Sequence, residues 1–186
     1  RDKTAAAGGP MKNKKITVLG LGNILLADEG FGVKVVLKMQ RKYRFPENVS
    51  LVDGNVLGLN LLGTISEADY LIVVDAIKSK GAPGTLYRLE GDEIPQRVRA
   101  KNSLHQVDFL ETLTMCQALG DVPETVILGV EPRDIQSVQD KLTPEIKARL
   151  NPAIDMVLAE LTRLGVSYEQ GENDNVPCHP FEDCED

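Results

Sequence analysis

One stretch constrains the fold of this chain more than any other: Lys15-Ile16-Thr17-Val18-Leu19-Gly20-Leu21-Gly22-Asn23-Ile24-Leu25-Leu26-Ala27-Asp28-Glu29-Gly30-Phe31-Gly32-Val33. Residues 16–21 form a short apolar run with β-branched members, the composition of a parallel strand covered on both faces. Glycines then punctuate a turn, and the next amphipathic segment opens on two acids. Asp28 predicts an N-cap, and Glu29 falls in the first helical turn, where the helix dipole favours negative charge. Strand, turn and helix in this order specify an α/β unit. In open α/β sheets ligands bind beyond the carboxyl ends of the strands, so this turn is the first place to expect chemistry.

Gly20-Leu21-Gly22 invites a dinucleotide-binding interpretation, which fails on two counts. Leu25 stands where the third glycine of G-x-G-x-x-G belongs. The acids at the helix start would also repel a pyrophosphate.

The rest of the chain continues the pattern. A helix is expected over 28–43, with Val33, Val36, Leu37 and Gln40 near one face and Lys34, Lys38, Arg41 and Lys42 in solvent. Residues 49–54 read as a second strand, 57–67 as a short apolar helix, and 69–76 as the most buried strand. Residues 85–89 alternate, which suggests an antiparallel edge strand. Ser103 predicts an N-cap for a helix to about residue 119, and 124–130 is the last strand. Thr143-Pro144 marks a capped helix start with Pro at the first helical position. Pro152 is expected to kink or restart that helix, which continues to Gly165. Strands alternating with helices predict a three-layer α/β sandwich, a mostly parallel twisted sheet of about five strands with helices on both faces.

Residues 1–10 read as an expression remnant before Met11, with a native disordered extension as the alternative. Residues 11–166 are expected to form a single domain. Residues 167–186 hold seven acids and neither Lys nor Arg. The chain's net charge is −7, so the body is neutral overall and has no basic stripe for nucleic acid. This acidic, apolar-poor tail is expected to be disordered. Its Cys178, His179 and Cys184 are soft donors near the chain end. With Cys116 they leave three cysteines, too few for a disulfide framework. No apolar run reaches membrane-spanning length. A reduced, cytoplasmic, monomeric protein is the expectation.

Three side chains are expected to converge at the carboxyl edge of the sheet: Glu29 after strand one, Asp75 ending strand three, and His105 at the start of the helix after the edge strand. Two carboxylates and an imidazole form an O,O,N donor set suited to a divalent transition metal with open positions. Each residue also has a plainer role. Glu29 would complement the helix dipole, Asp75 would cap the loop after a buried strand, and His105 would bond to backbone. Composition and spacing leave both possibilities open.

At these residues the chain resembles the hydrogenase maturation endopeptidases. The likeness spans about residues 15–165 and is strongest from Leu19 to Val33. Further matches are Val52-Asp53-Gly54, Val73-Val74-Asp75-Ala76, Ala82-Pro83-Gly84-Thr85, Ser103-Leu104-His105-Gln106 and Leu128-Gly129-Val130-Glu131-Pro132. The resemblance implies a protease, aspartic-type by family classification. It implies removal of a C-terminal extension from the large-subunit precursor of a nickel–iron hydrogenase once nickel has been inserted. It puts the metal-binding and catalytic residues on Glu29, Asp75 and His105, with Asp53 and Asp28 as further candidates for a general base. Nickel is the implied metal, and zinc or cadmium would occupy the same donors. The loop Asp53-Gly54-Asn55 is implied to touch substrate; it reads Asp-Gly-Asn-Val here where the family often has Asp-Gly-Gly-Thr. Leu104 replaces a frequent proline before the histidine. Two other functions fit the residues less well: a non-catalytic nickel-binding assembly factor and a nucleotide-binding α/β protein.

Overall fold

The computed structural model describes residues 14–54, 60–94 and 123–173. The expected helix over 103–119, with His105 in it, lies outside these residues. So do Asn55, Cys116, Cys178, His179, Cys184 and the N-terminal stretch.

The strands come first, because they set where everything else sits. They are β1 (Ile16–Gly20), β3 (Val49–Asp53), β4 (Tyr70–Ala76), β5 (Leu86–Glu90) and β6 (Glu124–Val130). They form one sheet in the order β3-β1-β4-β6-β5. The first four run parallel, and β5 pairs antiparallel at the edge, as its alternation predicts. Every residue of β1 and β4 is buried, which is why both read as continuous apolar runs rather than alternating ones.

Successive side chains on a strand point to opposite faces. On β4, Tyr70, Ile72 and Val74 join one core cluster with Phe31, Val35 and Met39 of helix α1 (Phe31–Lys42) and with Val157 and Leu161 of the long C-terminal helix. Leu71 and Val73 join the other cluster with Leu61 and Ile65 of α2 (Asn60–Ser66). The sheet is therefore covered on both faces, as an α/β sandwich requires. Each fully buried large apolar side chain contributes about 1.5–3 kcal/mol.

The chain leaves β1 towards β3 on one side and reaches β6 on the other side of β4. Connections from β1 and β4 thus diverge, and a crevice opens above their carboxyl ends. That topology, rather than any single residue, selects the place for a site.

Local structure departs from expectation at four points. First, the helix does not begin at Asp28. A 3-10 turn spans Ala27–Gly30 and the α-helix starts at Phe31. Asp28 caps nothing, because its side chain is turned inward onto another segment. Second, Lys34 is buried rather than solvated. The first two turns of α1 are enclosed on every side, with Val33 and Leu37 packed on Ile24 away from the main core. A one-face periodicity cannot register that enclosure. Third, Thr143 precedes α3 (Pro144–Lys147) with Pro at the helix start, but its hydroxyl makes no cap bond and goes to Asp28 instead. Pro152 lies in the first turn of α4 (Leu150–Arg163), where its missing N–H costs no helical bond.

Fourth, the segment expected to be disordered from Ser167 starts with order. β7 (Glu169–Gln170) pairs antiparallel with β2 (Tyr43–Arg44). Gly171 N donates to Lys42 O at 3.0 Å and Asn173 N to Arg41 O at 2.8 Å. These satisfy the orphan carbonyls at the end of α1. Tyr168 packs against Tyr43 and Phe45, with ring centroids 5.7 and 6.0 Å away. Composition missed this because the partners lie over a hundred residues upstream.

At the amino end of β4 a buried polar knot ties sheet to helix. Glu160 accepts from the Tyr70 hydroxyl at 2.7 Å, from Arg163 at 2.6 Å and from Arg88 at 3.2 Å. Burial pushes the Glu160 carboxyl up, but the bonds from Arg163, Arg88 and Tyr70 outweigh it and hold it at about 2. Burial and the bond to Glu160 raise the Tyr70 phenol. A carboxyl depressed from 4.5 stabilises the fold above that pH and loses the contribution as pH falls towards 2. Screening at the partly exposed arginines limits it to about 2 kcal/mol. Thermal melts of wild type between pH 5 and 2 should show this loss. Glu160→Gln should melt lower at pH 7 and fall less steeply on acidification; equal slopes would remove Glu160 as the cause.

No helix among the described residues is long and apolar enough to cross a membrane.

Candidate active site

The 3-10 turn carrying Glu29 is seated directly on the end of β4. Leu21 N donates to Val74 O at 2.8 Å, continuing the β1–β4 ladder into the turn. Two glycines make the approach possible. Gly22 has φ +130, a conformation L side chains rarely adopt, and a β-carbon there would fall on the Glu29 carbonyl oxygen. A β-carbon on Gly32 would fall on the Val74 carbonyl. Helix α1 therefore lies against the strand end with no side chain between, and the turn before it packs on the same strand, whose last two residues are Asp75 and Ala76.

Glu29 is 9 % exposed and Asp75 6 %. Asp75 shares the parity of Leu71 and Val73 on β4, one position before the strand ends at Ala76. Two of the expected donors thus belong to packed neighbours at the crevice above β1 and β4. His105, the expected third donor, lies outside the described residues. Among the described residues no group of three His, Cys, Asp or Glu side chains is placed to hold a metal ion. Asp53 ends β3 in register with Gly20, and Gly54 N donates to Gly20 O at 2.8 Å. The Asp53-Gly54 loop therefore borders the same crevice from the other side of β1.

Asp28 does something the sequence did not announce. It is completely buried. One carboxylate oxygen accepts from Thr143 N at 2.7 Å, the other from Asp134 N at 2.8 Å and Arg133 N at 3.0 Å. The Thr143 hydroxyl lies 3.0 Å from both oxygens. Asp28 therefore clamps the loop 133–143 to the turn beside Glu29. Backbone bonds complete the join: Ala27 N to Gln139 O at 2.8 Å, Asp28 N to Asp134 O at 2.9 Å and Gln139 N to Leu25 O at 3.0 Å. Within the loop, Ser137 and the backbone N–H groups of Gln136 and Ser137 bond to Asp134 and lower its carboxyl below the ordinary range. With four donors on it, Asp28 has no lone pair left for a water, so its place as a general base is withdrawn.

Glu131 is a second buried acid that spacing alone did not single out. It follows β6 and is 3 % exposed. It accepts from Ser79 N at 2.8 Å, Gly81 N at 3.1 Å and the Tyr87 hydroxyl at 2.8 Å. It thereby fixes the loop that leaves β4 just beyond Asp75. The available signal was position: an acid directly after a fully buried strand needs donors, and the glycine-rich loop after the neighbouring strand supplies them.

Comparisons with known proteins bear on the family of the chain. A family model described as "HycI: Hydrogenase maturation protease" matches residues 33–160. A hydrogenase expression/formation protein HupD from Thiocapsa roseopersicina is 43 % identical over 164 residues, which cover 87 % of this chain and 74 % of that protein. The hydrogenase 2 maturation protease of Escherichia coli is 40 % identical over 154 residues, covering 82 % and 93 %. Among solved structures, the hydrogenase maturating endopeptidase HybD from E. coli superposes with a TM-score of 0.80 at 37 % identity, over 84 % of this chain and 97 % of that one. A family model spanning most of the folded body, relatives matched over most of their length and a shared fold together lead to one conclusion: this chain belongs to the hydrogenase maturation protease family.

Proposed function

We propose that this chain is the endopeptidase that removes a C-terminal extension from the large-subunit precursor of a nickel–iron hydrogenase after nickel insertion. The observation that carries the proposal is the seating of the Glu29 turn on the Asp75 strand end, two buried acids at the crevice of a chain in this protease family. Glu29, Asp75 and His105 would hold the nickel that the precursor carries, and the O,O,N set suits such a divalent ion. Held there, nickel would polarise the scissile carbonyl.

The chain's own residues do the rest. The rigid turn and strand end orient the precursor's tail at the sheet edge. A carboxylate takes the proton of the attacking water and returns it to the leaving amine as the C–N bond breaks. Asp53 keeps that role as a candidate beside the two site acids, whereas Asp28 does not. This carboxylate chemistry is the sense in which the enzyme is aspartic-type. We place the step in the cytoplasm, on a monomer.

Intact mass of the cognate precursor after incubation tests the proposal. Loss of a C-terminal peptide from nickel-loaded but not nickel-free precursor is expected. Cutting without nickel would keep the protease and discard the metal checkpoint. Binding without any cutting would assign the chain to non-catalytic assembly instead.

A further inference from the structure

Asp75 has a glycine for its neighbour across the sheet. In register, Asp75 of β4 and Tyr87 of β5 both lie opposite Gly129 of β6. Parity puts Asp75 on the face of Leu71 and Val73, and Ile127 and Leu89 of the adjoining strands join the same cluster there. Gly129 offers no side chain between Asp75 and Tyr87. Ile77 fills that position: a β-carbon on Gly129 would fall on the Ile77 side chain, and Ile77 is buried. Ile77 opens the connection that leaves β4, crosses the carboxyl end of β6 and enters β5.

Glu131 holds that connection along its length. Ile77 N to Val130 O at 2.7 Å closes its near end; Gly84 N to Glu131 O and Glu131 N to Thr85 O, both at 2.8 Å, close its far end. The buried Glu131 carboxylate holds the middle. Its Oε2 accepts from Ser79 N, Gly81 N and the Tyr87 hydroxyl, and its Oε1 lies 3.0 Å from Ser79 N. The middle is not shaped by local preference. Lys80 has φ +63, a conformation uncommon for a residue with a side chain and kept where the surroundings enforce it. The N–H groups on either side of Lys80 are the two that Glu131 accepts. A β-carbon on Gly81 would fall on the Tyr87 hydroxyl, so loop and strand meet there with no side chain between.

We propose that Glu131 is a positioning residue for Asp75. By gripping residues 79–81 and Tyr87 it keeps Ile77 over Gly129. The filled position denies the Asp75 carboxylate the rotamer that leans along the sheet towards β5. The inference rests on the endopeptidase function proposed above, in which Asp75 belongs to the site. Glu131 works by geometry rather than by charge. A glutamine whose amide oxygen takes the place of Oε2 keeps the bonds from Ser79, Gly81 and Tyr87.

The test uses the full chain and two readouts. One is the initial rate on nickel-loaded precursor, well below each melting temperature. The other is the carboxyl-carbon NMR resonance of Asp75, assigned with Asp75→Asn. Glu131→Ala should lower kcat about tenfold, leave KM within about twofold of wild type, and move the Asp75 resonance. Glu131→Gln should restore most of both. Tyr87→Phe removes one donor and keeps the ring. It should lower kcat a few-fold alone and add nothing in the Glu131→Ala chain, because both act through one loop. If Glu131→Ala does not fold, Tyr87→Phe carries the same two readouts. An unmoved Asp75 resonance in the folded variants would overturn the proposal, whatever the rates. So would a moved resonance with unchanged kcat, and so would equal losses in Glu131→Gln and Glu131→Ala, which would assign the charge of Glu131 to the chemistry. A moved resonance with no cutting by wild type would keep the placement of Asp75 by Glu131 and overturn the protease function.

Discussion

An Asp28→Ala chain is expected to lose about 4 kcal/mol of stability, a melting temperature drop of roughly 10 °C. The substitution removes the acceptor for Arg133 N, Asp134 N and Thr143 N at once. Each buried N–H left without a partner costs about 1–3 kcal/mol, because it surrendered water on folding. Asp28→Asn should recover only part of the loss, since its amide NH2 would face donors. Thermal unfolding followed by circular dichroism reads both. A loss under about 1 kcal/mol would mean that the 133–143 loop holds to the turn without the clamp. Precursor cleavage should fall with Asp28→Ala even below the melting transition, because the turn that carries Glu29 loses its support.

The neighbouring acid should behave in the opposite way. Glu29→Gln is expected to melt within about 3 °C of wild type and to process precursor at least about 100-fold more slowly, an effect near 2.7 kcal/mol on the reaction barrier. The amide keeps the shape of the side chain and removes the charge that a metal ion or a proton would need. Intact-mass time courses on nickel-loaded precursor measure it. Processing at wild-type rate would exclude Glu29 from the machinery and leave Asp75 without its expected companion. The contrast between residues 28 and 29 would separate an acid that supports the turn from one proposed to act from it.

Much of the architecture could be read directly from the residues. The strand at 124–130 has the boundaries the apolar run suggests, and the edge strand is antiparallel as its alternation implies. These features are legible because burial on two faces or on one writes a local pattern. The start of α1 was not legible. Asp28 is a good local cap, and only its contacts with residues 133, 134 and 143 explain why it does not act as one. Lys34 looks solvated until Ile24 is folded over that flank. The acidic stretch after residue 166 looks disordered until it meets the open end of α1.

The candidate site divides in the same way. Glu29 and Asp75 could be named in advance as candidates because each comes after an apolar run that ends at the carboxyl edge of an α/β sheet. Asp28 and Glu131 could not be assigned their structural work, because their partners lie 105–115 and 44–52 residues away.

By itself the sequence determined the class of fold, the number and direction of the main strands, and the edge at which to look for chemistry. Those properties follow from periodicity and from glycine and acid placement within a dozen residues. The tertiary structure alone decided that Asp28 and Glu131 grip distant loops and that residues 168–173 pair with the end of α1. The physical reason is that hydrogen-bond satisfaction and burial belong to pairs of residues brought together only when the chain closes.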